Sequence, residues 1–284
     1  PMLRLRSYAK LNLFLDIAGK EGHLHRLHML MQSISLYDEL VFEPILEKKL
    51  VIECEVPSLA QDNIMSKAFE LLAQQYPREV QHGFKVTLRK NIPLGAGLGG
   101  GSGNAAALIG VCKRYFGLQM SRTELSEFNL AIGSDVNFCY VGGTQRVEGV
   151  GDRLTPSTTP HQYFLVVYPR IHVSTKEAFR LWDIQMTGHR PLPWPEASTT
   201  PFNAFEKMMI PMYPEIGVLK EKLLSLGASA ALMSGSGSTV FGVFLDKMSM
   251  QRATITLKKS YQDVYLARKM GRGITWGKQD GFFC

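Results

Sequence analysis

The sequence predicts a mixed α+β fold, because segments with strand and helix patterns follow one another along the chain. Residues 3–15 alternate apolar and polar side chains with a period of two, which is typical of a half-buried strand. Residues 84–89 alternate in the same way and lead through a glycine-rich stretch into an alanine-rich helix predicted at 102–116. Residues 231–244 form a second glycine–serine turn that enters an apolar strand.

The remaining elements follow from local signals. A turn is expected at 19–22, and residues 186–204 read as a long loop because they are rich in proline and lack periodicity. A capping box at Ser121 and Glu124 opens a helix that Gly133 ends, and Ser174 or Thr175 can cap another. The other predicted strands and helices are strands at 39–42, 50–56, 162–168 and 264–268, and helices at 63–75, 214–226 and 247–259.

Composition favours a protein that binds a small anionic ligand. The chain has 284 residues, is 45% hydrophobic and carries a formal net charge of +7. The basic residues are scattered and form no arginine-rich arm, so we expect attraction of a charged substrate and no nucleic-acid binding. No apolar run has the length of a membrane span, so we expect a cytoplasmic location without membrane contact. The four cysteines have no paired spacing, which predicts neither a disulfide framework nor a structural zinc site.

The glycine-rich stretch at 93–107 is the strongest candidate for a ligand site. Its six glycines can adopt positive φ and bring several backbone N–H groups to a phosphate, while the following helix presents its positive end. A flexible loop is the alternative reading of any glycine cluster. The position between a strand and a helix, with Ser102 as the predicted N-cap, favours a phosphate cradle.

Three known phosphate-binding motifs do not account for this stretch. Residues 95–100 satisfy G-x-G-x-x-G, but a dinucleotide-binding fold needs an acidic residue at the end of the next strand, where a helix with Lys113 and Arg114 is predicted instead. A Walker loop needs a lysine after its spacer, and none occurs between Lys90 and Lys113. The protein-kinase motifs H-R-D and D-F-G are absent from the sequence.

Two further regions carry candidate polar residues. Lys10 and Asn12 are two positions apart on a predicted strand and therefore point the same way, either into a site or onto a solvated outer face. Asp135 follows a glycine stop and either stabilises the start of a short helix or lies at the mouth of a cleft. His23, His25 and His28 lack a carboxylate or cysteine at matching spacing, so we predict ordinary polar contacts for them and no metal site.

With these residues in place, the chain resembles the GHMP kinase superfamily. Within it, the similarity is greatest to the branch that phosphorylates a cytidine-diphosphate-linked alcohol in non-mevalonate isoprenoid synthesis. The four blocks that match in order, and together span nearly the whole chain, are Ser7-Tyr-Ala-Lys10-Leu-Asn12-Leu-Phe-Leu, Pro93-Leu-Gly-Ala-Gly-Leu-Gly-Gly-Gly-Ser102, Ile132-Gly-Ser-Asp135-Val-Asn-Phe138 and Met233-Ser-Gly-Ser-Gly-Ser-Thr239.

The resemblance implies a fold and a reaction. It implies an N-terminal ATP-binding domain at 1–155 with a left-handed βαβ crossover, a ferredoxin-like C-terminal domain at 156–284, and an active site in the cleft between them. The implied reaction is transfer of a phosphoryl group from ATP, with Mg²⁺, to the 2-hydroxyl of the erythritol unit of a cytidyl diphosphate substrate. The alternatives are a kinase of another small alcohol, of homoserine or mevalonate type, and a non-catalytic nucleotide-binding regulator. The oligomeric state is left open.

The resemblance also implies roles for particular residues. Lys10 and Asp135 are the implied catalytic pair, and Asn12, His25 and Phe179 the implied substrate contacts. Two residues near His25 depart from the family pattern, with Leu24 in place of a tyrosine and Met31 in place of an aromatic residue, and Gly103 stands where a serine is common. The implied ATP-binding residues are Asn63, Pro93, Leu94, Gly95, Ala96, Gly97, Leu98, Gly99, Gly100, Gly101, Ser102 and Gly103.

Overall fold

The computed structural model describes residues 2–61, 63–194 and 200–277. Cys284 and residues 195–199 of the predicted long loop therefore lie outside the described residues. The strands are β1 (Leu3–Glu21), β2 (Leu24–Ile45), β3 (Leu50–Cys54), β4 (Gly83–Arg89), β5 (Thr144–Gly149), β6 (Arg153–Pro156), β7 (Tyr163–Tyr168), β8 (Phe202–Asn203), β9 (Ala230–Met233), β10 (Val240–Phe244), β11 (Asp263–Arg268) and β12 (Ile274–Trp276). The helices are α1 (Pro57–Gln61), α2 (Ile64–Gln75), α3 (Gly100–Tyr115), α4 (Arg122–Ile132), α5 (Val136–Val141), α6 (Thr175–Gln185), α7 (Glu206–Met212), α8 (Pro214–Ser225) and α9 (Lys247–Leu257).

The first sheet is built on the long β1–β2 hairpin, which turns at the predicted position where Gly22 adopts a φ of +62°. Its strand order is β12-β1-β2-β4-β3, with β5 and β6 continuing from β2 and with β8 on β1. β3 and β4 run parallel and are joined through α1 and α2, which makes a βαβ unit. The left-handed crossover implied by the family resemblance stays a prediction.

The second sheet has the order β11-β7-β10-β9, and every neighbouring pair in it is antiparallel. Helices α6 to α8 separate β7 from β9, and α9 separates β10 from β11. This succession with the fourth and first strands adjacent is the ferredoxin-like arrangement. The α+β fold is therefore confirmed. The domain division at 155 and 156 stays a prediction. Two strands from the second half of the chain, β8 and β12, join the first sheet.

Helix α3 lies in the centre of the molecule and carries the glycine-rich stretch at its start. Ala105, Ala106 and Ala107 are fully buried, so the helix can approach β1 closely. The prediction of Ser102 as the N-cap is wrong, because the cap is Gly99 with a φ of +68°. The left-handed conformation of this glycine lets the helix begin earlier, which places Ser102 in its first turn.

Side chains cap the starts of α2, α4 and α6. Ser121 and Glu124 form both hydrogen bonds of the predicted capping box on α4, and Ser174 caps α6 by accepting from the Glu177 N–H. Asn63 caps α2 by accepting from the Met65 N–H. In the three described ranges, no helix is both long enough and apolar enough to cross a membrane.

Candidate active site

A cavity of about 430 Å³ opens between the glycine-rich stretch and residues that come from both halves of the chain. The residues 93–102 form one wall, and we call them the glycine loop. Apolar, polar and charged residues from strands, helices and loops of both halves of the chain complete the cavity. These other lining residues are Lys10, Asn12, Leu15, Leu27, Met29, Leu59, Ile64, Lys90, Ser134, Asp135, Val173, Thr175, Phe179, Phe205, Gly235 and Ser236.

The glycine loop has a conformation that side chains at three of its positions would prevent. Gly95, Gly97 and Gly99 have φ values of +60°, +83° and +68°. A Cβ atom on Gly97 would lie 2.2 Å from the carbonyl oxygen of Ser234, so the loop also touches the second glycine–serine turn backbone to backbone. Ser234 Oγ donates to the Gly97 carbonyl at 2.9 Å. The loop is therefore held open as a backbone surface ahead of α3.

Lys10 and Asp135 meet at the edge of this loop. Lys10 Nζ lies 3.2 Å from Asp135 Oδ2, and their side chains are 5% and 26% exposed. The Lys10 backbone N–H donates to the Leu98 carbonyl at 2.9 Å, which fixes the strand against the loop. The alternative of a solvated lysine on an outer face is wrong, because the ammonium is buried in the cavity wall.

Register shifts in β1 orient the side chains of Lys10 and Asn12. The pairing of β1 with β2 shifts register between Tyr8 and Lys10 and again between Asn12 and Phe14. Such shifts bend a strand and redirect its side chains, and they are common beside functional sites. Lys10 Nζ donates to Asn12 Oδ1 at 2.8 Å, so the two residues do point the same way.

Asn12 links the first strand to the second glycine–serine turn. Its Oδ1 also accepts from the Gly235 N–H at 3.0 Å, and its Nδ2 lies 3.4 Å from Met29 Sδ. Asn203 holds the same turn by donating to the carbonyls of Met233 and Gly235, both at 2.8 Å. The turn thereby brings residues from the second half of the chain into contact with Lys10 and its neighbours.

Asp135 occupies the N-cap position of α5 without capping it. Its side chain makes no hydrogen bond to the helix and is turned toward Lys10 instead. A stabilising helix acid would direct its carboxylate to the free N–H groups of its own first turn. The geometry therefore favours the reading in which Asp135 lies in the cleft.

His25 and Phe179 are brought together, although only Phe179 lines the main cavity. Their rings stack with centroids 4.4 Å apart, and His25 Nε2 lies 2.7 Å from Asp183 Oδ1. Partial burial opposes ionisation of Asp183, but hydrogen bonds from Lys20 and His25 hold the pKa of its carboxyl below the ordinary value. His25 lines an adjacent cavity of about 220 Å³ with Lys20 and Asp183.

Two of the predicted ATP-binding residues do not line the main cavity. The Asn63 side chain is engaged by its own helix, because Oδ1 accepts from Met65 and Nδ2 donates to the Leu59 carbonyl at 3.1 Å. Gly103 is buried on the side of α3 that faces Ser7, where a Cβ atom would lie 3.4 Å from the serine Cβ. The predicted residues from Pro93 to Ser102 all line it.

Sequence reasoning missed several residues of the cavity. Thr175 Oγ1 and Ser236 Oγ lie 2.9 Å apart and join α6 to the second glycine–serine turn. The signal that could have found Ser236 is the similarity of that turn to the glycine loop, since both combine glycines with small polar residues. Lys90 directly precedes the loop, but one basic residue at the end of a strand is not distinctive.

Cys139 is a buried residue of α5 that contacts the glycine loop. Its thiol donates to the Gly99 carbonyl at a sulfur–oxygen distance of 3.8 Å. Burial, and then the charge of Asp135, raise the pKa of the Cys139 thiol, so the sulfur stays protonated and inert. The described cysteines Cys54, Cys112 and Cys139 are free thiols, as the lack of paired spacing predicted.

Comparison with known proteins relates both halves of the chain to one family. The family model of the GHMP kinases N terminal domain matches residues 63–143, and that of the GHMP kinases C terminal domain matches residues 195–263. A 4-diphosphocytidyl-2-C-methyl-D-erythritol kinase of Clostridium botulinum is 34% identical over 94% of this chain and 99% of its own length. One of Thermoanaerobacter pseudethanolicus is 35% identical over 96% of this chain and 98% of its own length.

A solved structure shows the same relation. The crystal structure of a 4-(cytidine 5'-diphospho)-2C-methyl-D-erythritol kinase is 27% identical, superposes with a TM-score of 0.80, and is matched over 94% of this chain and 99% of its own. The two sequence relatives share about a third of their residues with this chain and are matched almost end to end. The chain therefore belongs to the 4-diphosphocytidyl-2-C-methyl-D-erythritol kinase family of the GHMP kinases.

Proposed function

We propose that this kinase transfers the γ-phosphoryl group of ATP to the 2-hydroxyl of 4-diphosphocytidyl-2-C-methyl-D-erythritol, giving the 2-phosphate and ADP. The observation that carries the proposal is the Lys10–Asp135 pair, 3.2 Å apart, at the edge of a loop of backbone N–H groups. Phosphoryl transfer demands positioning and charge stabilisation more than covalent chemistry from the protein. This cavity offers both.

The glycine loop is proposed to bind the phosphates of ATP. Three positive φ values within five residues turn the backbone so that N–H groups can face an anion, and α3 begins directly behind the loop. The walls that flank it include the apolar side chains of Leu59, Ile64 and Leu94, which suit an adenine ring. Asn63, which was predicted to help hold the adenosine, caps α2 instead, and it can affect the adenosine only through the helix that carries Ile64.

Lys10 and Asp135 are proposed to act on the acceptor hydroxyl and the transferred group. The Asp135 carboxylate is partly exposed to the cavity, so an alcohol can reach it and donate its proton to Oδ1 or Oδ2. The Lys10 ammonium stabilises the negative charge that grows on the phosphoryl oxygens. Asn12 also fixes this ammonium by accepting a hydrogen bond at its Oδ1.

The substrate end of the cavity is proposed to lie at α6. Phe179 offers an aromatic surface, and the hydroxyls of Thr175 and Ser236 offer hydrogen bonds to a diphosphate. His25 already stacks on Phe179, so a cytosine ring would meet a preassembled pair of rings. Leu24, which replaces the family tyrosine, is 45% exposed and adds apolar contact without a hydroxyl.

Magnesium is proposed to enter with ATP. Among the described residues there is no cluster of three or more His, Cys, Asp or Glu side chains that could hold a metal ion. Such a site fits Mg²⁺ that is held mainly by phosphate oxygens, and Asp135 and Ser102 are among the residues lining the cavity that could add protein oxygens. When bound, the ion would neutralise phosphate charge.

An ADP-release assay across candidate alcohols tests the proposal. We expect turnover with 4-diphosphocytidyl-2-C-methyl-D-erythritol and none above background with homoserine or mevalonate. Turnover with homoserine or mevalonate, and none with the cytidyl substrate, would show that the protein is a kinase of another small alcohol. ATP binding without turnover of any alcohol would show that it is a non-catalytic nucleotide-binding regulator. The domain division at 155 and 156 and the cytoplasmic location stay predictions.

A further inference from the structure

A second lysine–aspartate pair lies beneath the glycine loop and is not used in the mechanism above. Lys90 Nζ donates to Asp38 Oδ2, and the two side chains are 4% and 0% exposed. Asp38 comes from β2, and Lys90 directly follows β4. Buried charges are costly unless they are paired and fully hydrogen-bonded. The other hydrogen-bond partners of Asp38 therefore show which part of the structure the buried pair stabilises.

The Asp38 carboxylate holds both ends of the glycine loop. Its Oδ1 accepts from the backbone N–H groups of Asn91 and Ile92, each at 2.8 Å, immediately before the loop begins. Its Oδ2 accepts from Asn104 Nδ2 at 3.0 Å, on the helix that follows the loop. Asn104 Nδ2 also lies 3.0 Å from Ser7 Oγ, which extends the network to β1. One side chain thereby fixes the distance between the entry and the exit of the loop.

The two lysine–aspartate pairs flank adjacent glycines. A Cβ atom on Gly99 would lie 2.8 Å from Lys10 Cγ, and one on Gly100 would lie 2.6 Å from Lys90 Nζ. Lys10 is paired with a carboxylate that is 26% exposed and can meet a substrate. Lys90 is paired with a carboxylate that is closed off completely. The Asp38 carboxylate is thus suited to holding the loop and unsuited to meeting the reacting atoms.

The geometry points to Asp38 and Lys90 as positioning residues that hold the glycine loop in its phosphate-binding conformation before ATP arrives. This inference rests on the proposed nucleotide site. A loop that is already ordered loses less conformational freedom on binding, so its ligand binds more tightly. The pair acts through the loop, and its removal should therefore raise the KM for ATP more than it lowers kcat.

The test uses the double variant Asp38→Asn/Lys90→Met, because either single change would leave a buried charge without its partner. The matched control is Glu53→Gln/Lys85→Met, which removes a solvent-exposed pair 3.1 Å apart on β3 and β4. We expect the Asp38/Lys90 variant to bind ADP about tenfold more weakly by calorimetry. Hydrogen exchange at the amides of residues 91–101 should become faster in that variant, and neither quantity should change in the control.

The inference is overturned if the Asp38/Lys90 variant binds ADP with wild-type affinity and exchanges these amides at wild-type rates. If that variant fails to fold, hydrogen exchange of the wild-type protein tests the inference instead. Without nucleotide, its Asn91 and Ile92 amides should exchange as slowly as those within α3, and rapid exchange would overturn the inference. Failure of the wild-type protein to bind ADP would refute the proposed function instead.

Discussion

Replacing Asp135 by asparagine separates catalysis from folding in this kinase. The substitution keeps the shape of the side chain and removes its charge and its ability to accept a proton. A positioned general base contributes a factor of roughly 10² to 10⁴ in rate, which corresponds to about 3 to 5 kcal/mol in activation free energy. We expect kcat to fall by that factor.

The effect on stability should be much smaller. Asp135 makes no capping bond to α5, so the helix loses nothing when the carboxylate is removed. Its ion pair with Lys10 is partly solvated on the aspartate side, so removing the carboxylate costs less stability than breaking a fully buried pair would. The ammonium also keeps its hydrogen bond to Asn12 Oδ1.

The measurements are ADP release at saturating substrate and thermal unfolding of the same preparation. Glu70→Gln on the exposed face of α2 is the matched control, since it is also an acid-to-amide change, and it should leave both quantities unaltered. Wild-type turnover in the Asp135 variant would remove this residue from the mechanism. A large loss of stability would show instead that its role is structural.

Three further predictions address the loop, the base pocket and the acid limit of stability. Gly99→Ala should lower turnover at least as far as the Asp135 variant, because alanine is strained at a φ of +68° and its Cβ would displace Lys10; wild-type kcat in the ADP-release assay would contradict this. Leu24→Tyr should lower the KM for the cytidyl substrate if the base lies at α6, whereas an unchanged KM would argue against that placement. The stability contributed by Asp183 should be present at neutral pH and disappear as the pH falls below about 4, because its hydrogen bonds to Lys20 and His25 lower the pKa of the folded carboxyl; the difference in unfolding temperature between wild type and Asp183→Asn, which should shrink with acid, measures it.

The elements of the fold could be predicted where a periodic pattern and a terminal signal coincide. Helix α4 shows this best, since its capping box and its glycine stop lie where the sequence places them. The start of α3 could not be located, because a glycine N-cap in the left-handed conformation has no side-chain signature to compete with Ser102. The short strands β8 and β12 escaped prediction because two or three residues cannot show a period.

The candidate site was partly predictable for a similar reason. Lys10 and Asn12 share a face by strand geometry alone, so their contact could be expected. That Asp135, 125 positions after Lys10 along the sequence, meets this lysine follows from the packing of α5 against β1, which periodicity does not report. Asp38 and Lys90 could not be predicted as a buried pair, because a charged residue in a strand or directly after one is usually exposed, and only the structure shows that both are buried.

The pairing of β12 with β1 has a consequence for how the enzyme is made. Leu5, Arg6 and Ser7 pair with Trp276, Thr275 and Ile274, so the edge of the strand that bears Lys10 is completed by residues synthesised some 270 positions later. Contacts of such separation slow folding because a long loop must close before they form. On the ribosome, β1 must wait until some 270 further residues have been synthesised before this edge is covered. A nascent chain halted after the first sheet's other strands should therefore display an open β edge and require protection from aggregation.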